Sequence, residues 1–301
     1  YAGWQKPAHF DYNLLVIGGG SAGLVSAYIA AAVKAKVALI EKHKMGGDCL
    51  NTGCVPSKAL IRSARAADTL RHANRYGLES VPVKGSFNNI MNRVREVIAK
   101  VEPHDSPERY RKLGVDCIAG EASFVSPWEL EVRHNDGRTE RLTARSIVVA
   151  TGGKPAVPSI PGLEDMEPLT SDNLWQLEEQ PDRLLVLGGG PIGSELAPAF
   201  ARLGSQVTQV EMGERLLAKE DADVSELVLK QFRADGVDVR LKHSAAEFRI
   251  EEGEKVAYCK HEGERVRIPF DQVLVAVGRA ANTAGLNLER IGVETLPNGT
   301  V

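Results

Sequence analysis

The sequence predicts an α/β protein that contains two doubly wound domains. One observation is a repeated pattern, in which a buried strand, a glycine-rich turn and a helix of small residues occur twice at a fixed offset of 170 positions. The other is length, because 301 residues with 43% hydrophobic content exceed what one core usually holds. Alternating strands and helices of this kind form parallel sheets with helices on both faces.

The first copy places Gly18, Gly20 and Gly23 between an apolar strand and a helix, and Glu41 ends the next strand. The first glycine permits the tight turn, the second lets a pyrophosphate approach the backbone, and the third lets the helix pack on the strand. The helix N-terminus offers N–H groups to the phosphates, and the acid suits ribose hydroxyls. We expect a strand at 13–17, a helix to about residue 33 and a strand at 36–40.

The second copy repeats these residues as Gly188, Gly190, Gly193 and Glu211. Each strand, turn and helix binds one pyrophosphate, so two copies predict two Rossmann-like domains for two dinucleotides, FAD and NAD(P). Glu211 favours NAD over NADP, since a carboxylate repels a 2′-phosphate and the next arginine is Arg215.

Composition argues against several functions. Lys and Arg total 37 against 40 Asp and Glu, and a net charge of −3 predicts no nucleic-acid partner and no polybasic membrane patch. Residues 14–33 carry no charge, but their glycines predict a strand, a turn and a helix rather than a membrane span. Four cysteines in this length are not a secreted disulfide scaffold, which favours the cytoplasm. The scattered histidines predict no metal site, and the start at Tyr1 suggests a fragment.

The segment 46–58, GGDCLNTGCVPSK, carries two cysteines with four residues between them. This spacing allows Cys49 and Cys54 to reach disulfide range, and Cys54 is predicted to begin a helix whose N–H groups favour its thiolate form. A carboxylate at Asp48 is expected to raise the pKa of Cys49 if both are buried. The segment resembles the active-site signature of the class I pyridine nucleotide-disulfide oxidoreductases, a family that includes dihydrolipoamide dehydrogenase, glutathione reductase and mercuric reductase. An inert structural cysteine pair is the alternative.

The resemblance implies that Cys49 and Cys54 form a redox-active disulfide. It also implies that Cys54 lies beside the flavin while Cys49 attacks the substrate. Lys58 is expected to pair with Glu195 near the N5 edge of the flavin, where a cation favours reduced flavin. Isolated surface charges are the alternative for these two residues.

The resemblance extends to other segments and sets the domain order. Residues 120–122 resemble a stretch that contacts adenine, and residues 150–152 resemble the exit from the FAD domain. Residues 271–279 together with Asn282 resemble the return to it. We therefore expect an FAD-binding part at 11–155, an inserted NAD-binding domain at 156–275 and a return segment at 276–301. The expected cofactor-binding residues are Gly18, Gly20, Ser21, Ala22, Gly23, Glu41, Lys42, Gly47, Asp48, Lys58, Glu121, Ala122, Ala150, Thr151, Gly152, Gly188, Gly190, Pro191, Ile192, Gly193, Glu211, Gly278 and Arg279.

The implied activity is an oxidoreductase that passes electrons from NAD(P)H through FAD to the disulfide and then to a disulfide or metal-ion acceptor. Lipoamide, another disulfide and Hg(II) remain open. A C-terminal dimerisation domain, through which relatives form homodimers, is expected to lie outside these residues. The alternatives are a flavin NADH oxidase or diaphorase without dithiol chemistry, and a non-catalytic nucleotide-binding fragment.

Overall fold

A computed structural model describes residues 3–301. Its contacts divide the chain into two compact units, and the boundaries fall within helices and short strands. The first unit comprises 1–55, 98–154 and 280–301, and the second comprises 56–97 and 155–279. This grouping follows the predicted insertion except that residues 56–97 join the second unit. The functional division at 155 and 275 therefore stays a prediction.

The helices and strands follow the predicted alternation, with the α/β class confirmed. The helices are α1 Ser21–Ala32, α2 Gly47–Asn51, α3 Cys54–Arg71, α4 Phe87–Val101, α5 Pro107–Lys112, α6 Pro191–Leu203 and α7 Ala222–Ala234. The strands are β1 Tyr12–Ile17, β2 Val37–Glu41, β3 Val115–Ser126, β4 Glu129–His134, β5 Thr139–Val149, β6 Gly153–Pro155, β7 Arg183–Leu187, β8 Gln206–Val210, β9 Asp238–Arg240, β10 Ser244–Glu251, β11 Glu254–His261, β12 Glu264–Phe270, β13 Gln272–Val275 and β14 Arg279–Ala281. Short 3₁₀ turns lie at Ala73–Tyr76, Glu102–Asp105, Glu164–Met166, Leu174–Gln176 and Leu288–Ile291.

The first unit contains a parallel sheet in the order β3-β2-β1-β5. Strands β3 and β5 are long enough to continue beyond it, where they pair with β4 in an antiparallel sheet. Successive residues of a strand face opposite sides, so Leu15 and Ile17 pack with the antiparallel sheet, whereas Val16 packs with α1 and α5. Apolar residues on both faces are what a parallel sheet covered on both sides requires.

The uncharged stretch at 14–33 divides into β1 and α1, as the glycines predicted. In the part of the chain that the structure describes, no helix combines the length and the apolar character that a membrane crossing requires.

The second unit contains a parallel sheet in the order β13-β7-β8-β9 and an antiparallel sheet in the order β10-β11-β12. Leu185, Leu187 and Val275 of the parallel sheet share a core with Phe248 and Phe270 of the antiparallel one. The chain crosses between the units at β6 and β14, which pair with each other.

Candidate functional site

The first glycine loop follows β1, and packing within the protein accounts for two of its glycines. Gly18 has a φ of +107°, and a Cβ there would lie 2.3 Å from the carbonyl oxygen of Ala150. A Cβ on Gly23 would lie 1.8 Å from the carbonyl oxygen of Gly18. Both positions therefore exclude any side chain, because such distances are far inside van der Waals contact.

Gly20, the middle residue of the loop, differs from these two. Its backbone is extended, with φ −84° and ψ −173°, and any residue adopts that conformation. A Cβ on Gly20 would meet only Gly47 Cα, at an ordinary 3.7 Å. The fold itself therefore tolerates a side chain at Gly20. The space that the missing side chain leaves at a helix N-terminus fits a pyrophosphate.

The second glycine loop, after β7, repeats this division. Gly188 also has a φ of +107°, and a Cβ there would lie 2.4 Å from the carbonyl oxygen of Ala276. A Cβ on Gly193 would lie 2.3 Å from the carbonyl oxygen of Gly188. A Cβ on Gly190 would meet nothing within 4 Å, and its φ of −76° is open to any residue. The residues present therefore fit a dinucleotide at each loop.

The two acids of the predicted fingerprints occupy equivalent places. Glu41 accepts hydrogen bonds from the backbone N–H groups of Gly19, at 2.6 Å, and His43, at 2.7 Å. Glu211 accepts them from Gly189, at 2.5 Å, and Gly213, at 2.6 Å. Charge-assisted bonds of this length tie each acid to the middle of its glycine loop.

A cavity that is open to solvent lies in the first unit beside its glycine loop. Two of its lining residues form an ion pair, since Lys42 Nζ lies 3.6 Å from Glu121, and Arg133 bonds the same carboxylate at 2.6 Å. The Arg133 hydrogen bond is the main reason that the pKa of Glu121 is lowered. Six of the predicted cofactor-binding residues line the cavity together: Gly18, Glu41, Lys42, Glu121, Ala122 and Thr151.

The remaining predicted residues lie in several places. Gly278 and Arg279 do not line the cavity but sit at the crossing into β14, where the Gly278 carbonyl accepts from Ala156 N–H at 3.0 Å. The others are at loop and helix starts. Those in the first unit are Gly20, Ser21, Ala22, Gly23, Gly47, Asp48, Ala150 and Gly152, and those in the second are Lys58, Gly188, Gly190, Pro191, Ile192, Gly193 and Glu211.

The return segment contributes cavity residues that sequence reasoning missed. Asn282 and residues 284–286 line the cavity. Asn282 is held in place because its side chain donates to the Thr151 carbonyl at 3.1 Å and its backbone N–H donates to Gly152 at 3.0 Å. The position of Asn282 just after the Gly278-Arg279 pair was the available signal, whereas 284–286 carry no motif.

The predicted redox segment packs directly on the first glycine loop. The Gly46 N–H donates to the Gly19 carbonyl at 2.8 Å, and a Cβ on Gly47 would lie 2.6 Å from Gly20 Cα. With φ values of +88° and +54°, Gly46 and Gly47 make the turn that begins α2. Gly46 and Gly47 thus allow the cysteine segment to pack closely against the first glycine loop.

The two cysteines lie in consecutive helices and are not joined by a disulfide in the structure. Cys49 is half-buried within α2, and Cys54 is the first residue of α3, as predicted. The Cys49 thiol donates a hydrogen bond to the sulfur of Cys54, and the Ser21 hydroxyl donates to Cys49. The two thiols are therefore neighbours.

Burial is the main reason that the pKa of the Cys49 thiol is raised, and its hydrogen bond to Cys54 acts in the same direction. A carboxylate at Asp48 was expected to raise this pKa if both groups were buried, but Asp48 is exposed, so that condition is not met. The other cysteines behave as packed thiols. Burial raises the pKa of Cys117 and raises that of Cys259, fully buried in β11, to about 11.

Lys58 and Glu195 form the ion pair that the resemblance implied. Lys58 Nζ lies 2.6 Å from both carboxylate oxygens, and the Ser57 hydroxyl donates to one of them at 3.3 Å. The side chains remain 59% and 41% exposed. Such an exposed pair adds only about 0–1 kcal/mol to stability.

Fold and site define an α/β protein with two dinucleotide-type glycine loops and a pair of neighbouring cysteines. Residues 12–301 match the family described as pyridine nucleotide-disulphide oxidoreductase, and the chain belongs to this family.

Its relatives are oxidoreductases of several specificities. The chain is 36% identical to a mercuric reductase of Lysinibacillus sphaericus and 35% identical to a dihydrolipoyl dehydrogenase of Bacillus subtilis, over 97% and 95% of its length. It is 39% identical to a glutathione reductase of Schizosaccharomyces pombe over 97%. These alignments cover 52%, 62% and 62% of the relatives, so the chain spans about half to three fifths of their length.

A solved structure shares the fold. The HOCl-induced flavoprotein disulfide reductase RclA of Escherichia coli, as its Cu(II) complex, superposes with a TM-score of 0.82 at 30% identity. The match covers 96% of this chain and 62% of that one. The class predicted from the repeated fingerprint and the cysteine segment is confirmed.

Proposed function

We propose that the chain is the nucleotide-binding body of a flavoprotein disulfide reductase, in which bound FAD relays two electrons from NADH to a disulfide between Cys49 and Cys54. The observation that carries the proposal is the contact between the two thiols at the start of α3. A thiol pair of this kind converts between dithiol and disulfide by a two-electron step.

The first glycine loop is proposed to hold the FAD pyrophosphate. The absence of a side chain at Gly20, which precedes the first residue of α1, supports this, and so does the cavity that Glu41 and Glu121 line. Glu41 would accept hydrogen bonds from the ribose hydroxyls, and the loop N–H groups would bind the phosphates.

The second glycine loop is proposed to hold NAD rather than NADP. Glu211 supports this choice, because its carboxylate lies where the fingerprint places the ribose 2′-oxygen and would repel a 2′-phosphate. Arg215, the nearest following arginine, donates to the Ala218 carbonyl at 3.0 Å. A cation that already bonds the backbone is a weak candidate for a phosphate.

The two thiols are proposed to have different roles. Cys54 is the first residue of α3, and the Cys49 thiol in α2 donates its hydrogen to the Cys54 sulfur. Cys49 would attack a disulfide acceptor once it is deprotonated and form a mixed disulfide as one acceptor thiol leaves. Cys54 then attacks Cys49, which releases the second acceptor thiol and restores the Cys49–Cys54 disulfide. A metal ion that accepts two electrons is the other acceptor class.

Lys58 and Glu195 are proposed to serve the flavin. Lys58 lies one helical turn after Cys54 in α3, and Glu195 fixes its ammonium from α6. A fixed cation favours the negative charge that develops on reduction.

A thiol count tests the proposal. The oxidised, FAD-loaded protein is titrated with NADH without oxygen, and thiols are counted before and after. The proposal expects two additional thiols per chain and consumption of one further NADH beyond the flavin. A double variant, Cys49→Ser with Cys54→Ser, is expected to lose both effects, whereas the control Cys117→Ser retains them. An unchanged thiol count in the wild type would favour a diaphorase, and a failure to bind flavin would favour a non-catalytic fragment.

A further inference from the structure

The two glycine loops are not equivalent, because buried polar groups hold only one of them. Gln209 in β8 is fully buried, and its Nε2 donates to the Gly188 carbonyl at 3.0 Å. The position 170 residues earlier in the first unit is Leu39, which cannot donate. Ser194 in α6 is also buried and its hydroxyl donates to the Gly189 carbonyl at 3.2 Å.

Two further comparisons point the same way. The position equivalent to Ser194 in the first unit is Leu24, again without a donor. The position equivalent to Ser21 is Pro191, the first residue of α6, where the proline ring fixes φ at the helix start. Gln209, Ser194 and Pro191 thus restrict the second loop, whereas the equivalent residues of the first unit do not restrict the first loop.

The burial of Gln209 costs folding stability. Its Oε1 is buried and has no hydrogen-bond partner, a situation that folded proteins rarely tolerate. A leucine, as in the first unit, would remove this unpaired oxygen. A buried group that costs stability and contacts a ligand loop is more readily explained by that loop than by packing.

We propose that Gln209 and Ser194 are positioning residues that hold the second glycine loop in its binding conformation while no nucleotide is present. The inference rests on the proposed function, since it takes this loop as the one that binds NAD. A nucleotide that binds and dissociates in every catalytic cycle must bind to an unoccupied loop each time. A loop that is already ordered binds the nucleotide without the entropic cost of ordering. A permanently bound cofactor would itself order the first loop, which then needs no such bonds.

The test compares Gln209→Leu and Ser194→Ala with wild type in the FAD-loaded protein. ADP-ribose is the probe, because it carries the pyrophosphate but no redox group, and its Kd is measured by calorimetry. We expect Gln209→Leu to weaken ADP-ribose binding about tenfold. Amide hydrogen exchange at 188–190 in the nucleotide-free protein is expected to accelerate, while FAD content stays unchanged.

Gln272→Leu is the matched control. Gln272 lies in β13 of the same unit and also has a buried Oε1 without a partner, but Gln272 begins the strand rather than adjoining the loop. This variant is expected to leave the Kd and the loop's exchange unaltered. Ser194→Ala, expected to weaken binding severalfold, provides an independent measurement should Gln209→Leu fold poorly.

The outcomes separate the two proposals. If both variants bind ADP-ribose as wild type does, or if Gln272→Leu weakens binding equally, the positioning role is overturned and the proposed function stands. If the flavin-loaded wild type binds neither ADP-ribose nor NADH, the proposed function is overturned together with the positioning role.

Discussion

Replacing Gly190 with alanine should separate nucleotide binding from folding. The added Cβ meets no protein atom within 4 Å, and the extended backbone accepts alanine without strain. Alanine reduces the entropy of the unfolded chain, worth about 0.4–1 kcal/mol, but is a poorer helix N-cap than glycine by a similar amount. The free energy of unfolding is therefore expected to change by less than about 1 kcal/mol.

The same methyl group should obstruct the dinucleotide. Steric overlap of one methyl group in a well-packed site costs about 1–3 kcal/mol. A Gly190→Ala protein should consequently bind ADP-ribose roughly 5- to 150-fold more weakly than wild type. Calorimetry on the FAD-loaded protein gives the Kd, and chemical denaturation gives the free energy of unfolding.

Gly188→Ala is the contrasting variant. At φ +107°, with a Cβ 2.4 Å from the Ala276 carbonyl oxygen, alanine adds both backbone strain and overlap. Each is worth about 1–3 kcal/mol, so a destabilisation of about 2–6 kcal/mol is expected. The reasoning is refuted if Gly190→Ala binds ADP-ribose within about twofold of wild type, or if Gly188→Ala unfolds at the same denaturant concentration as wild type.

The remaining predictions concern the ion pair, the second acid and the thiol. Lys58→Met should change the unfolding free energy by less than about 1 kcal/mol, since its pair with Glu195 is exposed, yet slow NADH-dependent thiol formation by roughly tenfold or more; equal rates by stopped flow would contradict this. Glu211→Ala should raise the Kd for NADH severalfold and so reduce the ratio of the Kd for NADPH to the Kd for NADH. An unchanged ratio would count against the role assigned to Glu211. Because burial raises the pKa of Cys49, the rate of Cys49 alkylation in the reduced protein should keep increasing as the pH rises past the ordinary pKa of a thiol. Mass spectrometry measures this rate, and a rate that is already constant at neutral pH would contradict the raised pKa.

The sequence by itself determined the local units of this protein. A strand, three spaced glycines and a helix are encoded within about fifteen residues, so both loops and their acids could be located from spacing alone. The start of α3 at Cys54 is equally local, since the cysteine segment carries its own turn glycines. The bonds from Glu41 and Glu211 to their loops follow from short strands that end beside those loops.

Only the tertiary structure decided which distant residues meet. The grouping of 56–97 with the second unit and the cavity lining by Asn282 depend on contacts between segments far apart in sequence, which no spacing rule encodes. The cause of the raised Cys49 pKa also depends on the tertiary structure, because burial is decided by packing: Cys49 is half-buried, whereas the neighbouring Asp48 is exposed. The roles of the glycines also separate only in three dimensions. Gly18 and Gly20 look alike in sequence, but a Cβ on Gly18 would overlap a carbonyl oxygen, whereas a Cβ on Gly20 would meet only Gly47 Cα at an ordinary 3.7 Å.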